Sequence, residues 1–153
     1  MAAAGLTWVD RLDEPAQVEQ LLTLFDREWW TQGRDRAGVE RMLAGSAEIV
    51  AALDGDELVA FGRAITDGVY LGTLDDIVVA SGWRDRGLGT AVVNELLRRP
   101  SVAATERVSL HCLPELIPYY ERLGFSPSDR TLRRMEIVAP GAPAYTRPTR
   151  WPT

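Results

Sequence analysis

"LDDIVVASGWRDRGLGTAVVNELL", Leu74 to Leu97, is the stretch whose reading decides the fold. An apolar run carrying Asp75 and Asp76 stops at a loop that packs Arg84, Arg86, Gly87 and Gly89 together, and a helix-like pattern follows. A glycine pair at the mouth of a helix lets backbone N–H groups point outward, and the helix dipole adds partial positive charge, so the loop can cradle an anion. The dinucleotide-binding fingerprint fails, because its third glycine would fall on Val92. A phosphate-binding P-loop fails for want of lysine. Taken alone, the glycine pair reads first as a tight strand-to-helix turn and only second as an anion cradle.

Working outward, "TAVVNELLRRP" reads as a helix closed by Pro100 and "TERVSLHCL" as a strand. "PELIPYYERLGF" reads as a helix opened by Pro114, and "TLRRMEIVA" as a last strand. Towards the N-terminus, "VYLGTLDDIVVAS" is a central strand, and "AEIVAALDGDELVAFGRAIT" is two strands about the turn at Asp54 to Asp56. "LTWVDR" is a short strand, "EPAQVEQLLTLFDREWW" a helix after Pro15, and "RDRAGVERMLAGS" a second helix that stops at Gly45. The order is β-α-α-β-β-β-α-β-α-β: an α/β (α+β) fold with a mixed central β-sheet flanked by helices. A single domain is expected over residues 1–139, with a proline-rich tail over 140–153.

Composition narrows the chemistry. The 153 residues are 46% hydrophobic and 25% charged, and no apolar run approaches the roughly 18 residues of a membrane span. The N-terminus carries no secretory pattern, so a cytoplasmic location is expected. The net charge of −5 argues against broad nucleic-acid binding. Cys112 and His111 are the only residues of their kinds, too few for a disulfide or a structural zinc site, and no metal is expected. As neighbours in a predicted strand they face opposite ways, and burial is expected for both. Every basic residue is arginine, which removes any lysine-based mechanism.

"VVASGWRDRGLGTAVV" matches V-x-x-x-x-[QR]-x-x-G-x-[GA], with Val79, Arg84, Gly87 and Gly89 on the defining positions. About 30 residues downstream "YYERLGF" matches F-Y-E-x-x-G-F, with Tyr120, Gly124 and Phe125 in register. By these two motifs the chain resembles the GNAT superfamily of acetyl-CoA-dependent N-acetyltransferases, up to about Ala139. W-x-x-G-R at Trp30, Gly33 and Arg34 and T-D-G at Thr66 to Gly68 make it similar to small bacterial members and their plastid relatives.

The resemblance implies that amides of Arg84, Asp85, Arg86, Gly87, Leu88, Gly89 and Thr90 hold the pyrophosphate of acetyl-CoA. It also implies that Ile77, Val78 and Val79 bond the pantetheine arm like a missing strand. Tyr120 occupies the position of the family's tyrosine beside the coenzyme sulfur and is the expected general acid; a backbone N–H near Val78 would polarise the carbonyl. Alternation sends Asp75 and Asp76 to opposite faces. Polyamine-type relatives carry their proposed base at the position of Asp75, which is therefore the expected base, and Asp76 is expected to be structural. Leu113 stands where many relatives carry an asparagine.

Trp29, Trp30, Arg34 and Asp67 fall in the segments that wall the acceptor in this family, and aromatics with carboxylates suit a cationic amine. Core packing is the competing reading for the two tryptophans. The expected activity is acetyl transfer to a small-molecule or peptide amine; the alternative is an acyl-CoA-binding sensor or partner module without turnover. No nucleic-acid or membrane partner is expected, and a homodimer is compatible with either reading.

Overall fold

The computed structural model describes residues 5–128 and 131–143. They divide between Leu110 and His111 into two compact units. The first contains a five-stranded sheet in the order β1-β2-β3-β4-β5. β1 (Thr7–Val9), β2 (Glu48–Asp54), β3 (Glu57–Thr66) and β4 (Leu71–Val79) pair antiparallel in succession. β5 (Arg107–Ser109) lies parallel to β4, from Leu71↔Arg107 to Thr73↔Ser109. The expected hairpin at Asp54 to Asp56 forms, with Gly55 at φ 59°.

Two helices, α1 (Pro15–Asp26) and α2 (Arg36–Gly45), follow β1. Pro15 presets the first turn of α1, and the Asp35 side chain caps α2 by accepting from the Gly38 amide. Val18, Leu21 and Phe25 of α1 and Val39 of α2 enter a core with Ile49, Ala51, Phe61 and Val78 of the sheet. The Phe25 and Phe61 rings meet edge to face at 5.9 Å.

α3 (Leu88–Arg98) covers the opposite face, since it lies over Gly62, the neighbour of Phe61 on β3. A Cβ at Gly62 would stand 2.6 Å from Val92 Cγ1 and 3.1 Å from Leu96 Cδ1, so glycine is what lets α3 approach this closely. Pro100 ends α3, as expected, and also opens a further short helix, α4 (Pro100–Ala103).

In the second unit a 3-10 turn, Pro114–Leu116, leads into α5 (Ile117–Arg122), which stops before Gly124 at φ 96°. Two expectations are corrected here. Residues 131–139 form no strand; Met135 and Ile137 are 92% and 101% exposed. Their apolar positions, 132, 135, 137 and 138, do not alternate, and no ladder partner holds them among the described residues. The strand expected over "TERVSLHCL" shrinks to Arg107–Ser109, which leaves His111 and Cys112 exposed rather than buried. Most of the tail expected over 140–153, residues 144–153, lies outside the described residues. Among the described residues no helix is long and apolar enough to cross a membrane.

Candidate active site

The arginine-glycine loop joins β4 to α3 through a 3-10 turn, Ser81–Trp83. Asp85 and Gly87 both take left-handed backbone conformations, φ 60° and 77°. Two such residues close together turn successive N–H groups towards one side, forming an anion-binding concavity. The first helical bond of α3 runs from the Ala91 N–H to Gly87 O, and no side chain caps the helix, so the Leu88 and Gly89 amides stay open at its mouth. A Cβ at Gly87 would meet nothing within 4 Å, so the space before the loop is clear.

Arg84 departs from this pattern. Its amide donates to Ser81 O at 3.4 Å, and its side chain turns inward. Nε donates to Val79 O at 3.3 Å and Nη2 donates to the Glu28 carboxylate, which is only 5% exposed. Burial pushes the Glu28 carboxyl up from its ordinary value, against the lowering pull of Arg84. Glu28 thus ties the end of α1 to the start of the cradle. Sequence reasoning missed it, because 56 residues separate the pair and no local pattern marks an isolated acid.

Beside the loop, β4 has an open edge. β5 ends at Ser109 opposite Thr73, so from Leu74 to Val79 the strand has no ladder neighbour on that side among the described residues. The other edge of β4 contains a bulge. Phe61 pairs with Val78 and Arg63 with Asp75, so Asp76 and Ile77 together oppose Gly62. Asp76 takes φ 53°, a left-handed conformation that aspartate tolerates better than most residues.

The bulge overturns the expected alternation. Asp75 lies directly across from Arg63 and shares its face; Asp76 also turns to this face, where it meets Arg63 and Arg34. Asp76 accepts from Arg34 Nη1 (2.8 Å) and Nη2 (3.1 Å) and from Arg63 Nε (2.7 Å). Burial alone would raise its pKa, but the bonds and charges of the two arginines outweigh burial and hold the carboxyl below its ordinary value. Asp75 is partly exposed, and its Oδ2 accepts from the Thr73 hydroxyl at 2.7 Å. The two acids are therefore unlike in environment and alike in direction.

The remaining residues expected at the acceptor separate. Arg34 is held against the sheet by Asp76 and lies over the Phe25 ring at 4.9 Å. Trp29 and Trp30 sit in the α1–α2 connection, edge to face at 5.6 Å, and Trp30 packs on the core. Asp67 closes the β3–β4 turn: its Oδ1 accepts the amides of Val69, Tyr70 and Leu71, which hold the carboxyl below its ordinary value. Its neighbour Thr66 shares in the turn through the Gly68 amide. The T-D-G signature is turn chemistry here.

In the second unit, Tyr120 on α5 is flanked edge to face by Tyr119 (4.9 Å) and Phe125 (5.9 Å). Burial, then Tyr119 and Cys112, push its phenol up to about 12.

A mixed sheet opened along one strand, with an amide-lined helix mouth beside the opening, makes this an α/β protein whose loop amides can donate to an anion. Residues 15–125 match the acetyltransferase (GNAT) family, and the chain belongs to it. It is similar to the uncharacterized N-acetyltransferase ycf52 of Pyropia yezoensis, 27% identical over 110 residues, 69% of this chain and 63% of that protein. It is also similar to GCN5-related N-acetyltransferase 1, chloroplastic, of Arabidopsis thaliana, 36% identical over 80 residues, 52% of this chain and 41% of that one. The chain thus spans less than two thirds of the length of these relatives. A solved structure from Deinococcus radiodurans R1, assigned to the acetyltransferases, superposes with a TM-score of 0.72 at 26% identity, covering 88% of this chain and 90% of that one.

Proposed function

We propose that the protein moves the acetyl group of acetyl-CoA to a primary amine by direct attack. The observation that carries this reading is the arginine-glycine loop: left-handed Asp85 and Gly87, open amides at the mouth of α3, and the unpaired edge of β4 beside them. The pyrophosphate suits the amides of Asp85 to Thr90, and the pantetheine arm suits the edge from Ile77 to Val79. Arg84 serves this cradle through its fixed backbone and its tie to Glu28.

Asp75 is the group to accept the amine proton, since Asp76 is fully engaged by two arginines. As the nitrogen bonds to the carbonyl carbon, the carbon–sulfur bond breaks, a backbone N–H near Val78 supports the oxyanion, and Tyr120 gives its proton to the thiolate. A phenol at about 12 is fully protonated at neutral pH and recovers its proton from solvent after each turnover. The products are the amide and free coenzyme A.

The test is thiol release from acetyl-CoA across a panel of primary amines, with wild type and Asp75→Asn. Amine-dependent release is expected, and the Asp75→Asn loss in kcat/KM should be greatest at low pH and shrink as pH approaches the amine's own pKa. Tight binding of acetyl-CoA with no release for any amine would instead identify a binding module without turnover.

A further inference from the structure

On the face of β3 that carries Phe61, exposure grows along the strand: Phe61 is fully buried, the Arg63 side chain is 14% exposed and Ile65 is 47% exposed. The opposite face stays covered, with Ala64 at 1%. The helices α1 and α2 therefore leave the far end of their own face open, and Arg63, Asp75, Thr73 and Ile65 form the floor of that opening. Arg63 uses only Nε, towards Asp76; its Nη1 and Nη2 have no partner among the described residues. Asp76 already accepts three bonds and has little left to offer them. Asp76 is shared between two arginines, so the free end of Arg63 stands as a positive group directly across the strand pair from the negative Asp75.

We infer that the acceptor is an amine that carries its own anion, a carboxylate or a phosphate, with Asp75 taking the ammonium end and the free fork of Arg63 taking the anionic end. Residues directly across an antiparallel pair have their Cβ atoms about 5 Å apart, which suits a molecule whose opposite charges are separated by a few bonds. A guanidinium fork matches carboxylate and phosphate oxygens two at a time. A purely cationic amine would satisfy Asp75 but press its body against the free end of the Arg63 guanidinium; an amine that carries an anion satisfies both. This specificity rests on the acetyl-transfer reading above and deepens it.

The experiment compares matched amines in the thiol-release assay: tyramine with tyrosine, which adds a carboxylate, and ethanolamine with O-phosphoethanolamine, which adds a phosphate. In wild type kcat/KM should be about tenfold or more higher for the anionic member of at least one pair, and the pair that responds identifies the anion. Arg63→Gln keeps a donor for Asp76 and deletes the charged fork; it should bring the two members of that pair within about threefold, a ratio taken within one variant so that any general loss of activity cancels. Should that variant melt below the assay temperature, Arg63→Lys, which keeps the charge and loses the paired geometry, should show the same collapse in reduced degree. Equal rates within both pairs in wild type would overturn the inference while leaving acetyl transfer intact. No thiol release with any amine would overturn the acetyl-transfer reading and this one with it.

Discussion

The arginine-glycine loop and the charged cluster around Asp76 adjoin the same strand but are built differently. The loop is made of backbone: open amides, two left-handed residues and a glycine whose missing Cβ faces clear space. The cluster beneath the floor is made of side chains from three separate segments, Arg34 of the α1–α2 connection, Arg63 of β3 and Asp76 of β4, fixed by a bulge. A backbone site tolerates change in most side chains but not in conformation. A side-chain site depends on each charge having its partner.

The largest effect should come from breaking the cluster. Asp76→Asn leaves two arginines facing a neutral amide, at a cost of about 3 kcal/mol or more, or a melting point lower by roughly 6–12 °C in differential scanning calorimetry. The pH dependence has a definite sign. Because the folded-state pKa of Asp76 lies below its ordinary 3.8, the wild-type advantage is fully present above that value and disappears as pH falls through the folded-state value. An advantage that persists unchanged to the lowest pH would show that the network does not carry the stability.

Next in size is the loop. Gly87→Glu places a carboxylate and a side chain with unfavourable φ where the amides converge, and should weaken acetyl-CoA by roughly 10²-fold or more in titration calorimetry. Its unfolding transition should remain cooperative. Unchanged affinity would remove the loop from the coenzyme site.

Tyr120→Phe keeps the ring and deletes the proton. A fall in kcat of roughly 10²-fold, with the KM for acetyl-CoA little altered, is expected in steady-state kinetics. A role in packing alone would lower the melting point and spare turnover.

The smallest effect joins the two regions. Glu28→Gln keeps a hydrogen-bond acceptor for Arg84 but removes the charge, and a loss of about fivefold in acetyl-CoA affinity is expected. Its melting point at pH 7 should scarcely move, because a carboxyl with a raised folded-state pKa contributes stability below its ordinary 4.5 and loses it as pH rises through the folded-state value. A large drop in melting point with normal affinity would make Glu28 a core residue only.

The same contrast explains what could be read in the chain itself. The loop was legible because its determinants are contiguous: Arg84, Gly87 and Gly89 lie within six residues. The element order was legible up to β5, α4 apart, from periodicity and the turn at Asp54 to Asp56. The shared direction of Asp75 and Asp76 was not, since period-2 reasoning assumes an unbroken ladder and the bulge adds a residue. The one local hint was aspartate itself, which accepts φ 53° where a β-branched residue would not. Arg63 and Glu28 were invisible because their partners come from other elements. "TLRRMEIVA" misled in the other direction, offering strand-like composition without a neighbour to pair with.

An unpaired edge in the middle of a sheet is an invitation to polymerise, since a second chain can zip alongside it. Among the described residues Leu74 to Val79 form such an edge, and the segment contains no proline or lysine to discourage pairing. Asp76 supplies the missing guard. Its left-handed backbone breaks the flat repeat that a long intermolecular ladder requires, and its anchoring to two arginines prevents the strand from straightening. The kink that shapes the floor thus also works against long intermolecular pairing along this edge.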